Sequence, residues 1–106
     1  MIMVLSESEK NELKQQIVNS LLSSNEIQKI IVFGSFLNSK NPNDIDIAVF
    51  QNSSEDYLTL ALRYRKLIRV ISKKIPVDVI PIKSDLGSNS FIDEIEKGEV
   101  IYARGN

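Results

Sequence analysis

The chain has 106 residues and a formal net charge of −1, from 13 basic and 14 acidic residues. It contains no cysteine and no histidine, which excludes disulfides, thiolate or imidazole metal sites and a histidine general base. Carboxylates are left as the main metal ligands. The near-neutral charge disfavours a nucleic-acid partner, because proteins that bind the phosphate backbone are usually clearly basic. The length predicts a single domain over residues 1–106.

We expect neither a membrane-spanning segment nor an export signal in this sequence. No apolar stretch approaches the roughly 20 residues that cross a bilayer. The N-terminal residues lack a basic region ahead of the apolar run and soon reach Glu7 and Glu9, which does not fit a signal peptide. We therefore expect a cytoplasmic protein.

The first predicted element is a helix over residues 6–24. Ser6 with Glu9 three residues later matches a capping box. Apolar residues at helical spacing define the buried face: Leu13, Ile17 and Leu21. Lys10 falls outside this face, so we expect it on the solvent side.

The next stretch holds two strands joined by a loop. Ile27–Phe33 is rich in β-branched residues and predicts a strand buried on both faces. Gly34 and Ser35 end it, and we expect a short helical turn over Phe36–Ser39 before a polar loop. Asp44–Phe50 begins with strict alternation and ends as an apolar run, which predicts a strand with an exposed start and a buried end.

A longer helix is predicted to begin near Asp56 and to continue to about Lys73. Tyr57 and Tyr64 belong to its apolar stripe and are expected in the core. The basic residues on another face are expected to be solvated: Arg63, Lys66 and Arg69.

Three short elements complete the chain. Pro76–Ile82 predicts a strand whose prolines favour either an edge position or an early end. Phe91–Lys97 predicts a helix that is closed by Gly98 as the C′ residue, and Glu99–Ala103 predicts a last strand. The order α-β-α-β-α-β-α-β, which counts the short turn as a helix, indicates an α/β (α+β) fold with a small mixed β-sheet packed on helices.

Three aspartates are candidate metal ligands. Asp44 and Asp46 lie at positions i and i+2 of one predicted strand, so their carboxylates share a face. Two such carboxylates repel each other unless a cation lies between them. Mg²⁺ favours one or two carboxylates together with substrate phosphate oxygens. Asp78, the lone charge in its strand, joins them if the two strands are neighbours.

Gly34 and Ser35 are candidate phosphate-binding residues. Glycine allows the backbone to approach a phosphate closely, and the N–H groups of a following helical turn favour an anion. Taken singly, Gly-Ser is more often a plain turn, and Asp-x-Asp at the start of a strand is often a solvated edge. Their combination in this order predicts phosphoryl or nucleotidyl transfer.

These residues carry a resemblance to a known family. Three separated segments, F-G-S, N-D-I-D-I-A-V-F and V-D-V-I, resemble the minimal nucleotidyltransferase (MNT) domain of the DNA polymerase β superfamily. The family pattern is hydrophobic-Gly-Ser, then Asp-hydrophobic-Asp-hydrophobic, then a third Asp on a later strand. Here it falls on Gly34, Ser35, Asp44, Asp46 and Asp78. The closing I-E-K-G-E-V-I-Y-A-R is also similar to the family's last helix and strand.

The resemblance implies a nucleotidyltransferase (EC 2.7.7-type). Members transfer a nucleoside monophosphate, usually from ATP, to a hydroxyl with two Mg²⁺ ions. It implies that Asp44 and Asp46 bind metal, and that Asp78 binds metal and helps to deprotonate the hydroxyl. Small stand-alone members are commonly the antitoxin of an all-helical HEPN-type toxin, and some adenylylate that toxin. We therefore expect a nucleoside triphosphate and a HEPN-type toxin as partners.

One departure from the family pattern leaves alternatives open. Small members usually carry an Arg and a Gly soon after Gly-Ser, whereas this chain has Phe36–Ser39, with Lys40 as the nearest cation in the sequence. The alternatives are a non-catalytic antitoxin with a vestigial site, and a transferase for a small hydroxyl compound. The acceptor, the preferred nucleotide and a homo-oligomeric state are left open.

Overall fold

The computed structural model describes residues 4–85, 87 and 89–105, so residues 1–3 of the N-terminal stretch discussed above lie outside it. No helix in the described ranges combines the length and apolarity needed to cross a membrane. The elements in chain order are α1 (Glu7–Leu21), β1 (Ile27–Phe33), a 3₁₀ turn (Gly34–Leu37), β2 (Ile45–Gln51), α2 (Tyr57–Leu67), α3 (Arg69–Ser72), β3 (Val77–Lys83), α4 (Ser90–Glu96) and β4 (Glu99–Ala103).

The four strands form one mixed sheet in the order β3-β2-β1-β4. β1 is antiparallel to both β2 and β4, and β2 is parallel to β3. The predicted mixed sheet is confirmed, and so is the edge position of β3 that its prolines indicated. The centre of β1 is buried because β1 has a strand on each side and helices on both faces.

Helices cover both faces of the sheet. α1, α2 and α3 pack on one face around a large apolar cluster that includes Ile17, Ile47 and Tyr64. On the other face, Ile92 and Ile95 of α4 pack in a smaller cluster with side chains from three strands: Ile31, Ala48, Phe50 and Ile82. The chain is therefore a three-layer structure with its larger core under α1 to α3.

The N-terminus of α1 matches its prediction except at Lys10. The capping box is present: Ser6 Oγ accepts from the Glu9 amide at 3.1 Å, and Glu9 Oε1 accepts from the Ser6 amide at 3.0 Å. The placement of Lys10 on the solvent side was wrong, since this residue is only 4% exposed. Its ammonium donates to the Ser39 carbonyl, in the loop that joins β1 to β2.

The long helix predicted up to Lys73 is two helices. Ile68, with φ −101° and ψ 13°, interrupts it. Tyr64 is fully buried as expected, but the prediction for Tyr57 was wrong, because Tyr57 is 56% exposed. Tyr57 is the first residue of α2 and lines an open groove rather than the core. Arg63 is not simply solvated either, because it forms ion pairs with two glutamates, Glu26 and Glu55.

Two glycine-bearing turns differ in detail from their predictions. The short helical turn begins at Gly34, two residues earlier than the predicted Phe36. Gly98 follows the C-cap of α4 as expected, but it does not adopt the left-handed conformation, which among the described residues is restricted to Gly34. Gly98 is instead needed because a Cβ there would collide with the Val32 carbonyl oxygen.

Candidate metal and nucleotide site

The sheet brings the three aspartates together. Asp46 in β2 is the register partner of Asp78 in β3, and Asp44 lies just before β2 on the same side. One carboxylate oxygen from each residue lies within 4.8 Å of the others. The structure therefore assembles the cluster that the sequence pattern suggested, and the role of its members as metal ligands stays a prediction.

Strand alternation explains which face carries the cluster. Ile45 and Ile47 point into the large core, so Asp46 between them points to the α4 side of the sheet. Ala48, two residues further along, packs in the smaller cluster with α4. Asp44 and Asp46 are half-buried and Asp78 is exposed, which leaves the cluster open to solvent at the start of the two parallel strands.

The cluster carries excess negative charge. The pKa of Asp46 is raised from 3.8 to about 6, first by burial, then by repulsion from Asp44 and Asp78 and by a hydrogen bond to Asp78. In the described part of the chain, the ion pairs involve none of these three carboxylates. A cation from outside the chain would relieve this repulsion.

The donor set fits a hard divalent cation. All three candidate ligands are carboxylate oxygens at the start of two adjacent strands, and Mg²⁺ is bound through a few carboxylates with further positions left to water or phosphate. The partial exposure of the cluster leaves room for such additional ligands. The residues present therefore fit the Mg²⁺ that the resemblance implies.

Gly34 connects the turn after β1 to this cluster. It has φ +81°, a conformation that side-chain-bearing residues rarely adopt. A Cβ at this position would also lie 2.7 Å from Oδ2 of Asp46. Phe33, the residue before Gly34, is the register partner of Asp46 on the β1 side. Only glycine lets the backbone of the turn pass this close to the Asp46 carboxylate. Ser35, the next residue, is exposed.

The turn is stabilised by backbone hydrogen bonds at its end and by contacts with α1. The Asn38 and Ser39 amides donate to the Ser35 carbonyl at 3.1 and 2.8 Å, and Phe36 is buried in the large core. The Lys10 ammonium lies 5.3 Å from the centre of the Phe36 ring and 2.6 Å from the Ser39 carbonyl oxygen. Sequence reasoning missed Lys10, because nothing in the spacing along α1 reveals a loop that arrives from a later part of the chain.

Comparison with protein families matches residues 7–106 to "Polymerase beta, Nucleotidyltransferase". The chain belongs to this nucleotidyltransferase family. The family match and the mixed sheet agree with the fold expected from the resemblance. Comparison with curated proteins gave no significant match.

Solved structures share the fold of this nucleotidyltransferase-family chain. A tri-AMPylated Shewanella oneidensis HEPN toxin in complex with an MNT antitoxin matches with a TM-score of 0.60 and 20% identity, over 90% of this chain and 73% of the matched chain. The toxin–antitoxin MntA–HepT matches with a TM-score of 0.58 and 21% identity, over 89% and 73%. A protein assigned as a nucleotidyltransferase from Sulfolobus solfataricus matches with a TM-score of 0.52 and 17% identity, over 90% and 80%. At these identities the likeness shows the fold alone.

Proposed function

We propose that this chain is a cytoplasmic Mg²⁺-dependent nucleotidyltransferase that transfers a nucleoside monophosphate, AMP from ATP, to a hydroxyl of a partner protein. The observation that carries the proposal is the meeting of three carboxylate oxygens within 4.8 Å beside a left-handed Gly34, where any Cβ would press on Asp46 of the same cluster. Membership of the nucleotidyltransferase family supports the reaction class.

Each aspartate has a distinct place in this proposal. Asp44, Asp46 and Asp78 would hold two Mg²⁺ ions, which when bound neutralise phosphate charge during transfer. Asp46 contributes its carboxylate at neutral pH because its pKa, although raised, is about 6. Asp78 is the exposed member, so it is the one that an incoming acceptor reaches first.

The triphosphate binds at the turn after β1. The close approach of the Gly34 backbone to the aspartate cluster and the exposed Ser35 hydroxyl provide contacts for phosphate oxygens. Asp78 accepts the proton of the acceptor hydroxyl. The hydroxyl oxygen then forms a bond to the α-phosphorus, the bond from that phosphorus to the pyrophosphate oxygen breaks, and pyrophosphate leaves.

The acceptor in this proposal is a HEPN-type toxin. Two matched structures are described as toxin–antitoxin complexes, and one contains a tri-AMPylated HEPN toxin with an MNT antitoxin. We propose the same pairing here, with the chain acting as the antitoxin.

The test is transfer of label from ATP labelled at the α-phosphate to a HEPN-type partner in the presence of Mg²⁺. Wild-type protein should label the partner, and the Asp44→Asn, Asp46→Asn double variant should not. A matched control is Glu12→Gln with Glu94→Gln, which removes two exposed charges that lie outside the aspartate cluster, one of them in the surface ion pair Glu94–Lys97, and should leave labelling intact. Labelling that persists in the aspartate variant would exclude the assigned mechanism.

A second candidate function rests on the turn itself. Phe36–Ser39 follow Gly34-Ser35 where small relatives of the resembled family carry an Arg and a Gly. This departure favours an antitoxin that neutralises its toxin by binding alone. In that case the aspartate double variant still neutralises the toxin, and the wild-type protein transfers no label.

A further inference from the structure

Lys10 is a buried cation that the proposed reaction does not use. It is 4% exposed, and it is the only charged side chain classed as buried in the described ranges. Burying an ammonium is unfavourable unless it gains good partners. Its partners are the Ser39 carbonyl oxygen at 2.6 Å and the face of the Phe36 ring at 5.3 Å. Both partners belong to the segment that begins at Gly34.

A backbone hydrogen bond also connects the segment before α1 to the same loop. The Leu5 amide donates to the Lys40 carbonyl at 2.9 Å. Two consecutive carbonyls, those of Ser39 and Lys40, are therefore held by residues on either side of the α1 capping box. The Gly34–Leu37 turn just before these two residues is a short 3₁₀ segment, a geometry with weaker hydrogen bonds than an α-helix.

We propose that Lys10 is a positioning residue that holds the Gly34–Leu37 turn in the shape that binds the triphosphate; this inference rests on the proposed function. Its ammonium contacts the Phe36 ring within the turn and the Ser39 carbonyl two residues after the turn. Since the ammonium is committed to these two partners and hidden from solvent, it acts on the nucleotide through the turn and does not contact it. It stabilises a phosphate-binding turn whose own sequence lacks a cation.

Three variants separate this role from general stabilisation. Lys10→Met keeps the aliphatic stem but removes the charge and the donors. Lys10→Arg keeps both charge and donors. Lys14→Met is the control, because Lys14 is also on α1 but pairs with Glu99 of β4 at 2.8 Å, away from the turn.

The first measurement is amide hydrogen exchange of residues 35–39 in the protein without nucleotide. Loss of the charged hydrogen bond should speed exchange in Lys10→Met by about tenfold or more relative to Lys14→Met. Lys10→Arg should stay near the wild-type rate. Equal exchange in Lys10→Met and Lys14→Met would overturn the proposal. If Lys10→Met fails to fold, Lys10→Gln, which keeps a neutral donor, replaces it with Lys14→Gln as its control; faster exchange confined to these amides in Lys10→Gln supports the proposal, and equal exchange in the two variants overturns it.

The second measurement is the dissociation constant of ATP with Mg²⁺, together with the KM and kcat of label transfer. Lys10→Met should raise the dissociation constant and the KM for ATP by about tenfold with kcat largely kept, and Lys10→Arg should restore both. Unchanged ATP binding in Lys10→Met contradicts the inference. Failure of the wild-type protein to bind ATP with Mg²⁺ would instead contradict the proposed function, and the exchange comparison would still decide whether Lys10 holds the turn.

Discussion

Asp46 and Asp78 lie opposite each other in the parallel pair of β2 and β3, and burial together with the negative charges of Asp44 and Asp78 raises the pKa of Asp46. Asp44 adds a third carboxylate, and one oxygen from each of the three residues lies within 4.8 Å of the others. This repulsion agrees with the proposed metal site, because a bound cation would relieve it.

Binding of Mg²⁺ should therefore stabilise the protein. At a free concentration about 100 times its dissociation constant, Mg²⁺ should raise the free energy of unfolding by about 2.7 kcal/mol. The Asp44→Asn, Asp46→Asn variant should be at least as stable as wild type without metal, because the repulsion is gone, and it should not respond to Mg²⁺. Thermal unfolding with and without Mg²⁺ measures both effects.

The control for this prediction is the Glu12→Gln, Glu94→Gln variant, which changes the net charge by the same amount. It should keep the full response to Mg²⁺. An equal rise in the unfolding temperature of the aspartate variant would show that Mg²⁺ binds elsewhere.

Stability should depend on pH through Asp46. Its pKa is about 6 in the folded protein and 3.8 as the ordinary value, so the folded state binds this proton more tightly. The contribution of Asp46 protonation to the free energy of unfolding is therefore complete below about pH 4, and it is lost as the pH rises through 6. Without metal, urea unfolding should show the stability of wild type relative to Asp46→Asn falling between pH 5 and 7. A difference that stays constant across this range would contradict the assignment.

Gly34→Ala should damage both stability and metal binding. A side-chain-bearing residue at φ +81° costs about 1–2 kcal/mol, and the added Cβ would press on Oδ2 of Asp46. Gly87→Ala is the matched control, because nothing lies within 4 Å of a Cβ there; its stability should change by no more than about 1 kcal/mol. Chemical denaturation and Mg²⁺ titration of the two variants make the comparison, and similar results for both would contradict this account of Gly34.

Tyr64→Phe should lower stability without affecting Mg²⁺. The Tyr64 hydroxyl donates to Glu26 Oε2 at 2.7 Å, and burial together with this carboxylate raises the pKa of Tyr64. Removing a hydrogen bond to a charged group should cost about 1.5–3 kcal/mol. Tyr64 belongs to the core on the face away from the aspartates, so Mg²⁺ affinity should be unchanged. Tyr57→Phe, at an exposed position, should change neither quantity in the same denaturation and titration measurements.

The parts of this fold that depend on local pattern were predictable from sequence. The bounds of β1 and β4 agree with those predicted, because apolar runs between turn residues mark strands directly. The face shared by Asp44 and Asp46 followed from strand alternation. The sequence predicted that Asp78 joins the other two aspartates only if their strands are neighbours, since strand order depends on contacts between residues distant in sequence.

The parts that depend on tertiary contacts were not predictable. Lys10 looked solvent-facing from its helical position, but a loop from beyond β1 covers it. Gly98 was expected to end α4 through a glycine-specific backbone conformation. Instead, glycine is required there because a Cβ would collide with the Val32 carbonyl oxygen of β1. The helix break at Ile68 could not be predicted, because no glycine or proline lies next to it in the sequence.

The most direct test of the central claim is calorimetric titration of the full chain with a non-hydrolysable ATP analogue, with and without Mg²⁺. We predict binding that requires Mg²⁺, has about one nucleotide per chain, and disappears in the Asp44→Asn, Asp46→Asn variant while persisting in Glu12→Gln, Glu94→Gln. Absence of binding to the wild-type protein, or equal binding to the aspartate variant, would contradict the assignment of this cluster as the nucleotidyl-transfer site.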